Sequence, residues 1–121
     1  MNRVVVIILA LVFSGCVTPS IPIPPPSPAR MEFAVDGVAG SATFSYPPSE
    51  IYADSTVYVF NRDRGVGVIT TSQADGRVLS TEPFAAQLGD QVVVTFERDQ
   101  QAVSTCIRLR NGNQSATDAC D

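Results

Sequence analysis

Three cysteines, at positions 16, 106 and 120, carry most of the chemistry available to this chain of 121 residues. It contains no histidine, so the commonest general base and the commonest metal ligand are both missing. The serine and threonine hydroxyls therefore have no imidazole to activate them. Asp36, Asp54, Asp63, Asp75, Asp90 and Asp99 offer oxygen ligands. Each falls in a polar, turn-like stretch where aspartate suits the backbone, and no calcium-loop spacing appears. A carboxylate pair for glycoside hydrolysis would need a cleft that so short a β fold does not provide. Tyr46, Tyr52 and Tyr58 have the makings of an aromatic platform for sugars, although core or edge packing is the simpler expectation. Arg108 and Arg110, two apart, are expected on one solvated strand face. No enzyme activity, metal or cofactor is expected.

The charges narrow the partners. All eight basic residues are arginine; without the first 15 residues, seven arginines face twelve acidic side chains, a net charge of −5. That balance lacks the basic footprint of a nucleic-acid binder and the basic patch that would hold a protein on an anionic membrane.

Cys16 sits at a boundary. Arg3 precedes an apolar run over residues 4–13, followed by Ser14-Gly15 and then the cysteine. A positive end, a short apolar run and a small-residue pair have the order of a secretory signal peptide. Ten residues of helix cover about 15 Å, half a bilayer's hydrocarbon thickness, so the run is too short for a membrane span. Phe13-Ser14-Gly15-Cys16 resembles the lipobox of bacterial lipoproteins, with Phe13 where leucine is usual. The resemblance implies cleavage between Gly15 and Cys16 and acylation of Cys16, giving the several acyl chains that stable anchoring needs. It places the protein in the bacterial cell envelope, attached to the membrane through acylated Cys16. Val17, in place of an aspartate after the cysteine, favours the outer membrane.

Export to an oxidising compartment makes Cys106 and Cys120 an expected disulfide. If Val103, Thr105, Ile107 and Leu109 face inward, Cys106 lies on the outer face of the last strand, and the bridge draws the polar tail back against it. A thiol or metal pair is the poorer alternative without histidine.

Between anchor and domain, Pro19, Pro22, Pro24, Pro25, Pro26 and Pro28 leave little room for hydrogen-bonded structure. Residues 16–29 are expected to form an extended stalk of roughly 40 Å; a PxxP recognition motif is the alternative. The division is then signal peptide over residues 1–15, lipidated cysteine and stalk over 16–29, and one domain over 30–121.

In that domain the period is two. Met31, Phe33 and Val35 alternate with polar or small residues, as do Ala42, Phe44 and Tyr46. Val57-Tyr58-Val59-Phe60 is apolar on both faces, as in a central sandwich strand. Asn61-Arg62-Asp63-Arg64-Gly65 reads as a hairpin turn into a strand over 66–71. Ala74-Asp75-Gly76 and Leu88-Gly89-Asp90 read as further turns. Strands are expected over 77–80, 91–96 and 103–109. About seven short strands at regular spacing, with no helix, predict an all-β fold, a small antiparallel immunoglobulin-like sandwich.

Thr56-Val57-Tyr58-Val59-Phe60-Asn61, Ala74-Asp75-Gly76-Arg77 and Leu88-Gly89-Asp90 with Val92-Val93-Val94-Thr95 together resemble bacterial Ig-like and carboxypeptidase-regulatory-like repeats, over roughly half the chain. Arg77-Val78 stands where those repeats commonly have a serine-aromatic pair. The resemblance implies a structural or binding role, with an envelope protein as partner and no catalytic residues. The competing reading is a small periplasmic inhibitor or ligand binder. The usual inhibitor signatures, a GxGG-type loop or an exposed tryptophan, do not occur.

Overall fold

The alternation of apolar and polar residues becomes eight strands in the computed structural model, which describes residues 22–120. They are β1 (Glu32–Asp36), β2 (Ser41–Ser45), β3 (Thr56–Asn61), β4 (Val66–Thr71), β5 (Phe84–Ala85), β6 (Gln91–Arg98), β7 (Gln101–Arg108) and β8 (Gly112–Asn113). Among the described residues there is no α-helix, only three short 3₁₀ turns.

The strands form two four-stranded sheets, ordered β5-β2-β1-β8 and β4-β3-β6-β7. Every neighbouring pair is antiparallel. In chain order the first, second and fifth strands share one sheet and the third, fourth, sixth and seventh the other, an immunoglobulin-like split in which the fourth strand lies beside the third instead of in the first sheet as in the constant-type domain. The eighth strand extends the first sheet.

The period of two sorts side chains between core and solvent. Phe33, Ala42 and Phe44 from one sheet meet Val57, Val59, Val92, Val94, Phe96 and Ile107 from the other, all essentially inaccessible. Each large side chain so buried contributes about 2 kcal/mol. Aromatic rings fill one end, where Phe96 stacks on Tyr52 at 4.3 Å between centroids and meets Tyr46 edge-on at 5.4 Å.

Two hairpins share one construction. In each, a side chain closing the first strand caps the turn: Asp36 accepts from the amides of Val38 and Ala39, and Asn61 from those of Asp63 and Arg64. A glycine of positive φ, Gly40 or Gly65, then donates back to that residue's carbonyl. The β6–β7 turn is tighter. Asp99 and Gln100 both have positive φ, the signature of a two-residue type I′ loop.

The strand expected over residues 77–80 does not form. Val78 makes one isolated bridge to Tyr46, and the next attachment is the amide of Thr81 on the carbonyl of Phe44. Three residues on this side thus span two on β2, a bulge that interrupts the ladder. The following spacing, to the Ala42–Phe84 pair, repeats the mismatch, and there Pro83 has no amide to donate. Pairing resumes only as β5, a short strand that the expected pattern lacks, as it lacks β8.

Candidate functional site

Gly15 and Cys16, the expected cleavage and acylation residues, lie outside the described residues. The described part of the proline-rich segment lies on the domain. Its carbonyls have no partners within an extended proline chain, and the sandwich supplies donors. The Tyr52 hydroxyl donates to the carbonyl of Pro24 at 2.6 Å, and the Thr105 hydroxyl to that of Pro26 at 2.6 Å. The amide of Ile23 donates to Gln101 Oε1, and that of Ser27 to the Tyr46 hydroxyl. Pro26 is buried. Residues 23–29, assigned to the stalk by composition, thus form a strap that closes the sandwich beside β7. Burial pushes the Tyr52 phenol up to about 12, with neighbouring Tyr46 acting in the same direction and Arg30 opposing it.

The rest of the β7 edge is covered by the C-terminal tail. Cys106 and Cys120 are joined by a disulfide, with Cα atoms 5.3 Å apart. Cys120 donates its amide to the carbonyl of Cys106, and Ala119 pairs with Ile107. Buried Gln114 holds the intervening loop by donating to the carbonyls of Arg110 and Gly112. Arg110 reaches Asp118 at 3.6 Å, and Asp118 accepts from the amide of Ser115. Ile107 and Leu109 are buried while Cys106 and Arg108 point outward, as the alternation requires. Arg62 Nη1 lies 3.7 Å from the Cys106 sulfur.

Asp36, Asp63, Asp75 and Asp90 serve turns, their own or a neighbouring one. Asp63 accepts from the amide of Gln91, and Asp75 from that of Arg77. Asp90 collects three donors on one oxygen: Arg64 Nε at 2.7 Å, Asn61 Nδ2 at 2.8 Å and the Gln87 amide at 2.9 Å. Burial works to raise its pKa, but the hydrogen bonds from Asn61, Arg64 and Gln87 with the Arg64 charge outweigh it and hold the carboxyl below its ordinary value. Among the described residues, no three acidic or cysteine side chains come together as a metal site.

The tyrosines are divided. Tyr46 and Tyr52 are core residues, and only Tyr58 points outward, so no three-ring platform exists. Tyr58 instead belongs to an uncovered apolar face that the sequence pattern did not single out. Phe60 is nearly half exposed and Ile69 is 71% exposed. Tyr58 pairs with Ile69, and Phe60 with Gly67. An apolar notch of about 220 Å³ lies beside Gly67, bordered by Tyr58, Phe60 and Ile69. The available signal was that residues 57–60 are apolar on both faces. That pattern implied a covering layer, yet the outer face of β3 has none among the described residues.

No family model matches this chain, and no curated protein and no solved structure matches it. The function must therefore be read from the site itself. The fold presents one sheet edge closed by its own strap and tail, and an apolar face running to the opposite edge.

Proposed function

We propose that this chain is a lipid-anchored lipoprotein of the bacterial cell envelope, non-enzymatic, whose Ig-like sandwich serves a structural or protein-interaction role. The observation that carries the reading is Ser14-Gly15-Cys16 directly after the ten apolar residues that end in Phe13. Acylation at Cys16 would hold the domain at a membrane, and Val17 favours the outer one. The docked strap supports a close tether, because residues 23–29 lie on the domain and do not lengthen the spacer. The immunoglobulin-like split of the strands supports kinship with bacterial Ig-like repeats. The uncovered Tyr58, Phe60 and Ile69 favour interaction with another protein, since contiguous exposed apolar surface commonly marks such contacts.

The test is metabolic palmitate labelling of wild type and Cys16→Ala, followed by membrane fractionation. Wild type should carry label and pellet with membranes, and the variant should do neither. Unlabelled wild-type protein would overturn the anchor.

A further inference from the structure

The two sides of the sandwich are treated differently. Where β7 and β8 end the sheets, the strap and the disulfide-linked tail close the opening. Where β4 and β5 end them, a groove of about 550 Å³ runs between residues 67–70 of β4 and residues 80–82. β4 is the terminal strand of its sheet, and its sequence Val-Gly-Val-Ile-Thr-Thr carries no charge and no proline. Those are the features of an edge open to strand addition, because the usual guards are missing.

We propose that the β4 edge is a strand-addition site for an extended segment of another protein, one in which apolar and basic residues alternate. The inference rests on the interaction role proposed above and names the partner's chemistry. An added strand sends alternate side chains to the two faces of the sheet. On the outer face they meet Ile69, Phe60 and the apolar notch beside Gly67, which takes a large apolar side chain. On the inner face they meet Ser80, Thr81 and Glu82. Glu82 is the one charged group lining the groove, and it forms no ion pair among the described residues. A lysine or arginine of the added strand supplies the missing charge. A second copy of this chain would instead bring an uncharged β4 to the groove and leave Glu82 without a counter-ion.

The test uses the full chain in detergent micelles and a synthetic capped peptide in which valine and phenylalanine alternate with lysine, with a twin carrying glutamate for lysine. The lysine peptide should bind about tenfold or more tighter than its twin, as for one well-placed charge pair. Its binding should slow amide exchange at residues 66–71. Glu82→Arg should reverse the preference, Glu82→Gln should abolish it, and Glu50→Arg, at an exposed acid elsewhere, should leave it intact. Equal binding of both peptides, protection mapping away from β4, or equal sensitivity to Glu50→Arg would overturn the site. A dimer in sedimentation that Ile69→Lys dissolves would assign the edge to a second copy and overturn it too. Palmitate label without peptide binding would defeat this inference alone; binding without label would defeat only the anchor.

Discussion

The Tyr52 hydroxyl donates to the carbonyl of Pro24 across 2.6 Å, tying the proline-rich segment to a ring that stacks on Phe96 in the core. Tyr52→Phe removes that bond and leaves the ring, so a loss of about 1 kcal/mol is expected in urea denaturation. The phenol's pKa rises from 10.0 to about 12 on folding. The protonated form therefore stabilises the fold fully below pH 10, and that contribution is lost as pH climbs through 12. Tyrosinate absorbance should show one phenol ionising last in the wild type and missing from the variant. An alkaline stability profile identical in the two proteins would contradict this role.

The Cys106–Cys120 bridge closes a loop with a sequence separation of 14. A loop of that length is worth about 3 kcal/mol in the chain-entropy estimate. Replacing both cysteines with serine should lower stability by that order, and reductant should have no further effect on the variant. Amide exchange should quicken at Cys120, whose proton is bonded to the Cys106 carbonyl, while the β3–β6 pairing stays protected. Uniform loss of protection would mean that the tail is integral to the core.

Most of the architecture was legible where one rule decided the outcome. Alternation placed Phe33, Phe44 and Ile107 inside, and Asp36 and Asn61 announced their hairpins through the turn chemistry of their side chains. Residues 77–80 misled because their composition suits a strand. The ladder fails there through backbone register, with the bulge after Val78 and Pro83 beyond it. Composition alone makes the proline-rich segment a free stalk, because proline cannot build a hydrogen-bonded element. That reasoning is sound for amides, but the carbonyls of Pro24 and Pro26 remain acceptors for Tyr52 and Thr105, and only the three-dimensional fold brings those hydroxyls to them. The open β4 edge was hidden for the same reason, since a sequence does not state which apolar face lacks a cover.

Gly76 and Gly65 make a controlled pair. Both have positive φ, +84° and +66°. A side chain at Gly65 would meet open space, whereas a Cβ at Gly76 would fall 1.6 Å from the carbonyl oxygen of Ser49. Gly65→Ala should cost about 1 kcal/mol, the strain of a left-handed residue alone. Gly76→Ala must in addition displace backbone that is tied by the Ser49 amide to the carbonyl of Asp75. It should cost about 3 kcal/mol or more, read as the difference in denaturation midpoint. Equal costs would show that the turn at residues 74–76 moves freely.

Asp90 links the β3–β4 turn to the start of β6. One of its carboxylate oxygens accepts from Asn61, Arg64 and the Gln87 amide, and its side chain is 14% exposed. Hydrogen bonds to a charged acceptor are the stronger kind. Asp90→Asn keeps the shape and removes the charge, so a loss of about 2 kcal/mol at neutral pH is expected. The sign of the pH dependence follows from the depressed pKa. The unfolded chain takes up the proton near the ordinary value of 3.8, and the folded chain only below it. The stabilisation is therefore complete above pH 3.8 and disappears as pH falls through the lower folded value. Denaturation midpoints followed into acid should fall more steeply for the wild type than for Asp90→Asn, the two curves converging at the acid end. Parallel curves would show that Asp90 is neutral to folding and that Asn61 alone holds the turn.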